Sequence, residues 1–243
     1  MKQIFGATDT GLVRKMNQDR FFCRKVSDDL GFLVLCDGMG GENGGNVASE
    51  IATNHAAEAL GRDLSGELSE LSVRGILLSA IAGANALVHE AAKADETLSG
   101  MGTTMIVCVI LRRELFVACV GDSRVYLVAD GEESQLTKDH TVVQMLVDIG
   151  EITEEDAKTH PKRHFITRAV GVASSVEPDY FAETLREGDF VLACSDGLHH
   201  YLQPGMLSGL LDRCVREESA SELVALAVAG GGTDNITAVV AAV

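Results

Sequence analysis

Apolar positions along this chain fall into short unbroken blocks near both ends and in the middle, separated by two long stretches of helical period. IFGATD near the start, RFFCRKV over 20–26 and GFLVLCD over 31–37 read as strands. Residues from Asn46 to Leu60 are alanine-rich. Those from Leu68 to Ala94 place Leu71, Ile76, Leu78, Ile81, Leu87 and Val88 at roughly helical spacing, so both stretches read as helices. A meander follows. Strand 103–111 turns at LRRE into strand 115–120, then at GDS into strand 124–129, then at ADGEE into a short return. These runs are nearly continuous rather than alternating, as in strands covered on both faces. Residues 138–170 are polar and helical in parts, with a break at His160-Pro161. REGDFVLACSDG is a turn and a buried strand, helices near 204–216 and 219–229 come next, and NITAVVAAV closes the chain as a strand. Helices inserted in pairs among strands do not make the regular alternation of a doubly wound sheet. The expectation is an α+β fold of antiparallel sheets with helices packed outside.

The 243 residues are 46% hydrophobic, with no linker, repeat or low-complexity tract, so one domain spanning 1–243 is expected. A formal net charge of −16 argues against nucleic acid and anionic membrane as partners. It also requires a local cation wherever a phosphate is to be held. The N-terminus has no apolar leader, and no run reaches the length of a membrane span, the most apolar being Met105 to Leu111. The six cysteines are scattered without a CxxC pair, the usage of a reduced, cytoplasmic protein rather than a disulfide scaffold or zinc site.

Three aspartates share one setting: Asp37 ends VLCDG, Asp196 ends LACSDG and Asp234 opens GTDNITAVV. A carboxylate at the end of a buried strand is costly unless a cation or hydrogen-bond donors compensate it. Three converging would make a hard oxygen site for Mg²⁺ or Mn²⁺; taken singly, each reads as a turn aspartate. The glycines of DGMGGENGG are not a nucleotide loop, because Asn46 follows Gly45 where a lysine and Ser/Thr are needed. Arg14, in RKMNQDR, has the planar fork that suits phosphate oxygens, and taken alone it is a solvated arginine. Asp122, in GDSR, reads as a turn former. His160, His199 and His200 read as surface or capping residues, and no GxSxG supports a serine triad.

The ordered set RKMNQD, DGMGG, GMGTT (100–104), GDSRVY (121–126), TKDHT (137–141), ITRAVG (166–171), CSDGL (194–198) and TDNIT (233–237) resembles the metal-dependent protein phosphatases of type 2C, in their bacterial form. The resemblance runs the length of the chain. It implies a four-layer α-β-β-α sandwich with two Mn²⁺ or Mg²⁺ ions in a cleft at one end. By position, Asp37 would bridge both ions, Gly38 would bind one through its carbonyl, and Asp196 and Asp234 would complete the ligand set of the first ion. Later glycines would let the loop fold back under the cation. Arg14 would bind the substrate phosphate, and Asp19 would act through water at the metals. Asp122 with Asp196 would form a weaker third site. Residues 139–167 would be a mobile flap, with Thr159 a third-metal or substrate contact.

Two departures follow from the same comparison. Gln18 stands where many relatives have glutamate, and Met39 where eukaryotic members have a histidine that serves as general acid. The activity so implied is hydrolysis of phosphoserine and phosphothreonine in proteins by a monomeric cytoplasmic enzyme, opposite a cognate serine/threonine kinase. The competing readings are a non-catalytic phosphoprotein-binding or kinase-regulating module on the same fold and a phosphatase of small phosphate esters using the same chemistry.

Overall fold

Leu30–Met39 (β3) is apolar at every position from Leu30 through Cys36 apart from Gly31, and both of its faces are covered. Phe32, Val34 and Cys36 point to a helical layer, while Leu33 and Leu35 point to a second sheet. That two-sided burial sets the architecture, because a strand with period-two side chains needs a partner layer on each face. The computed structural model describes residues 1–243, apart from the side chains of residues 42 and 43.

One sheet joins β3 to Asp19–Lys25 (β2), Met105–Leu111 (β5), Glu114–Val120 (β6) and Asp179–Thr184 (β9) in the order β2-β3-β5-β6-β9, with Gly102–Thr103 (β4) pairing off β3. The other is built from Gln3–Asp9 (β1), Ile236–Ala242 (β11), Phe190–Cys194 (β10), Arg124–Ala129 (β7) and Glu132–Gln135 (β8), neighbours in that order. All pairings are antiparallel. Between the sheets, Leu33, Ile106 and Cys108 meet Val125, Val191 and Val239. Outside the first sheet lie Gly41–Asp63 (α1) and Glu70–Ala94 (α2), which set Ala52, Leu60, Leu77 and Ile81 on it. Outside the second, Leu207–Glu217 (α6) and Ser221–Ala229 (α7) set Leu210, Leu211 and Leu223 against Leu192 and Val240. The expected α-β-β-α order is therefore observed.

Three local expectations change. The glycines after Asp37 do not form a loop. β3 continues to Met39, Gly40 caps with φ 117°, and α1 begins at Gly41. The reason is close approach: a methyl group on Gly45 would sit 2.6 Å from the carbonyl carbon of Gly38, and one on Gly44 would sit 2.9 Å from Cβ of Met101. Second, β9 has no counterpart among the expected strands. It is an edge strand with half-buried and exposed positions, so DYFAET carries no apolar block. Third, α2 is long and apolar enough, by length and composition, to cross a membrane. Its Val73, Leu77, Ile81 and Val88 pack instead on the sheet, which accounts for the apolar content.

Candidate active site

The strand registers bring the sequence-predicted residues to one end of the sandwich. Asp37 pairs with Asp19 across β2–β3, and Leu35 with Ile106 across β3–β5, which puts Thr104 beside Asp37. In the second sheet Cys194 lies between Arg124 and Ala238, so Asp122, Asp196 and Asp234 emerge together. A cleft of about 1340 Å³ opens there, lined by Arg14, Asp37, Gly38, Asp122, Asp196 and Asp234, with Met39 and Gln18 also on its wall.

Asp37 is fixed by its backbone. Its N–H donates to Thr104 Oγ1 at 3.0 Å, and its carbonyl accepts from Thr104 N and Thr103 Oγ1, each at 2.8 Å. Gly38 beside it has no room for a side chain: a methyl group would lie 2.8 Å from the Gln18 carbonyl oxygen and 2.5 Å from the Gly45 carbonyl carbon. Asp196 is the first residue of a short helical turn, Asp196–His199 (α5), after Ser195. Asp234 lies in the connection before β11. Its Oδ1 accepts from Asn235 N at 2.8 Å and its Oδ2 meets Arg14 Nη2 at 2.7 Å. Asp122 is 7% exposed in its GDS turn.

Asp19 does not line the cleft but lies beneath it, 1% exposed. Its Oδ2 accepts from Thr237 Oγ1 at 2.6 Å and Ser195 Oγ at 2.8 Å. Its Oδ1 has no hydrogen-bond partner among the described residues. Thr159 ends Glu154–Thr159 (α4), is exposed, and is not among the residues that line the cleft. The 139–167 segment holds Val142–Asp148 (α3) and α4; a bridge between Thr141 and Ile166 closes its two ends on each other, and the Arg124–Asp139 ion pair and the His140 N–H on the Gly121 carbonyl at 2.9 Å tie it to the body. Only its end, at His164, Phe165 and Ile166, reaches the cleft among the described residues.

The electrostatics report a shortage of positive charge. Asp37 is held well above the usual carboxylate range by burial and by repulsion from Asp19, Asp196 and Asp122. Burial, then the Asp196 charge, pushes Asp122 up to about 7. Burial pushes Asp19 up to about 6 despite its two hydroxyl donors, and burial also raises Asp196. The hydrogen bond to Asp234 in turn raises the Arg14 guanidinium. Carboxylates in this state, with an orphaned carboxylate oxygen behind them, are an all-oxygen donor set suited to a hard divalent cation. Among the described residues, no three His, Cys, Asp or Glu side chains close into a compact cage. That openness agrees with mutual repulsion and with a cation that keeps part of its own water shell.

Two groups were missed or misread from sequence. Asn235 clamps the Arg14 loop: its Nδ2 donates to the carbonyls of Thr10 and Met16 at 2.9 and 3.0 Å, and its Oδ1 accepts from Gln18 N at 2.8 Å. Only its place next to Asp234 hinted at this. His199 is a correction to the surface reading. It is 7% exposed, kept neutral by burial, with Nε2 3.2 Å from the Asp122 carbonyl oxygen, which it supports from below. His200 is exposed and His160 caps α4, as expected.

A family profile described as Protein phosphatase 2C matches residues 13–227. The serine/threonine phosphatase stp of Listeria innocua is 34% identical over 231 residues, covering 95% of this chain and 91% of the relative. The structure of serine/threonine phosphatase Stp1 from Staphylococcus aureus superposes with a TM-score of 0.91 at 32% identity, covering 100% of this chain and 95% of that one. The catalytic domain of serine threonine protein phosphatase PstP, solved with two manganese ions, superposes with a TM-score of 0.84 at 36% identity, covering 99% of this chain and 97% of that one. With its motifs in order, its two antiparallel sheets and its acidic cleft at one end, this chain belongs to the protein phosphatase 2C family.

Proposed function

We infer that the chain is a metal-dependent protein serine/threonine phosphatase, a hydrolase of phosphate monoesters working as one catalytic domain over residues 1–243. The observation that carries this is the gathering of Asp37, Asp122, Asp196 and Asp234 around one cleft with Arg14 as an ion-pairing cation. The relatives' names and the two manganese ions of the PstP catalytic domain point the same way.

Asp37, the Gly38 carbonyl, Asp196 and Asp234 would hold two Mn²⁺ or Mg²⁺ ions, and Asp122 with Asp196 a weaker third. When bound, such ions supply an activated water and neutralise charge on the phosphoryl oxygens. The chain's own groups do the rest. Arg14, on the exposed lip, turns its fork to the equatorial phosphate oxygens and orients the ester. The Thr103–Thr104 and Asn235 bonds hold the Asp37 backbone and the Arg14 loop rigidly enough for in-line attack. Asp19, buried beneath the cleft with its Oδ2 held by the Thr237 and Ser195 hydroxyls, would act on the metals through water. The water oxygen bonds to phosphorus, the P–O(Ser/Thr) bond breaks, and one proton from that water ends on the released hydroxyl. Met39 on the cleft wall has no proton to give.

The natural substrates on this reading are phosphoserine and phosphothreonine proteins, a cognate kinase among them, met by a cytoplasmic monomer. Thr159 and the 139–167 flap would act on large substrates more than on small esters. Hydrolysis of an aryl phosphate tests the chemistry. Turnover should require Mn²⁺ or Mg²⁺, stop with chelator, and survive thiol alkylation, since the thiols of Cys36 and Cys194 are both buried and pushed up to about 12. Chelator-resistant, thiol-dependent turnover would overturn the reading.

A further inference from the structure

The cleft is acidic at its floor and apolar at its rim. Val13 is 66% exposed, Met16 43% and Phe165 60%, and all three line the same cleft as Arg14 and the aspartates. They come from two segments far apart in sequence, the β1–β2 connection and the end of the 139–167 segment. These are not residues on loose chain. Asn235 holds the carbonyl of Met16 at 3.0 Å. The Phe165 carbonyl accepts from Val142 N at 2.9 Å and its N–H donates to Lys162 O at 3.1 Å, next to the Thr141–Ile166 bridge. Large apolar side chains displayed on anchored backbone beside a reaction site mark a surface awaiting a partner.

The size of the cleft and the apolar side chains at its rim choose the partner, and the charge of the chain excludes an acidic one. A volume of about 1340 Å³ exceeds the roughly 300–1,000 Å³ typical of a small-molecule site, so one phosphorylated side chain leaves the rim uncovered. A chain of net charge −16 repels acidic flanking residues. We propose that Val13, Met16 and Phe165 are specificity-determining residues that seat the apolar neighbours of a phosphoserine or phosphothreonine, so that the enzyme selects phosphopeptides with aliphatic or aromatic flanks. This rests on the phosphatase reading above. Flanks packed on the rim hold the phosphoryl group over Arg14 and the carboxylates, so apolar neighbours contribute to turnover as well as to binding.

The test is a comparison of ratios. Phosphothreonine peptides flanked by leucine or by serine are hydrolysed in saturating Mn²⁺ by the wild type, Phe165→Ser and Met16→Ser, with an aryl phosphate assayed on the wild type alongside. The wild type should show kcat/KM roughly tenfold higher for the leucine peptide, the size of discrimination an apolar pocket supplies. Each variant should shrink that ratio several-fold. Because each ratio is internal to one preparation, partial loss of folded enzyme does not alter it. A wild-type ratio near one, or a ratio that both variants leave intact, overturns the apolar rim while aryl phosphate turnover keeps the phosphatase reading standing. Failure to hydrolyse the aryl phosphate and both peptides defeats the phosphatase reading and the rim together.

Discussion

Nη2 of Arg14 lies 2.7 Å from Oδ2 of Asp234, so the cation expected to meet the phosphate is held by a carboxylate expected to meet a metal. The two roles are coupled through one side chain. Arg14→Ala should raise KM for aryl phosphate and lower kcat/KM by roughly tenfold or more, since the fork touches phosphate in ground and transition states alike. The same variant, titrated with Mn²⁺ by calorimetry, should bind the metal as tightly or more tightly, because a positive charge has left the site. An unchanged KM returns Arg14 to the solvated surface, and weakened Mn²⁺ binding contradicts the electrostatic coupling.

The raised carboxylates give the chelated protein a defined pH dependence. Asp19 stands at about 6 and Asp122 at about 7, both raised chiefly by burial. A carboxyl group whose pKa is higher folded than unfolded binds more protons in the native state. Its stabilisation is full below the unfolded value of about 3.9 and is lost as pH rises through the folded pKa. His199, His140 and His200, all lowered by desolvation, act in the opposite sense as pH falls through about 7 towards 6, where they would charge on unfolding. Asp37, held well above the usual carboxylate range by burial and by the Asp19 charge, carries the carboxylate effect past that of the histidines, so the comparison is made at pH 6.5 and 8.5. In EDTA the Tm should be lower at pH 8.5 by a few degrees, at roughly 2–4 °C per kcal/mol for a chain of this size, and Mg²⁺ should raise Tm more at pH 8.5 than at 6.5. A metal-free Tm that rises over this interval contradicts the clustered-carboxylate account.

Gly38 is one of the tightest steric points of the site, with Gly197. A methyl group there meets Gly45 and the Gln18 carbonyl. Gly38→Ala should push the start of α1 away from β3, costing about 1–3 kcal/mol in a urea titration and weakening Mn²⁺ binding through the displaced Asp37. Unchanged stability together with unchanged Mn²⁺ affinity would show that the close approach has no bearing on the site.

How much of this could be read in the chain follows from where each signal lies. The strands covered on both faces declared themselves, because burial on both sides leaves continuous runs such as MIVCVIL. Asp37, Asp196 and Asp234 stood out as charges at the ends of such runs, and Asp122 as the centre of a turn between two of them. β9 carried no comparable run because an edge strand faces solvent. The glycines after Asp37 looked like a loop because local propensity disfavours glycine in helices, and only the contact between Gly45 and Gly38 explains why the helix accepts them. His199 looked like surface because nothing local tells that its ring lies under Asp122. Thr159, placed by resemblance alone, ends α4 and does not itself line the cleft.

Asp122 offers a way to separate a third ion from the first two. It shares the field of Asp196 but stands on a different turn. An ion held by few carboxylates keeps most of its water and binds weakly. Asp122→Ala should therefore retain two tight Mn²⁺ ions in calorimetry while kcat falls, more on a phosphothreonine peptide than on aryl phosphate. Loss of the tight ions would make Asp122 part of the principal site.

On the proposed function, Asp37, Asp196 and Asp234 hold the catalytic metals. The most direct test of this is the rate of phosphate release from a phosphothreonine peptide at saturating Mn²⁺ by Asp37→Asn, Asp196→Asn and Asp234→Asn beside the wild type. Each variant should lose on the order of a hundredfold or more in kcat, the loss expected when charge stabilisation at the reacting phosphoryl group is removed. Near wild-type turnover by any one of the three would contradict its place in the metal site.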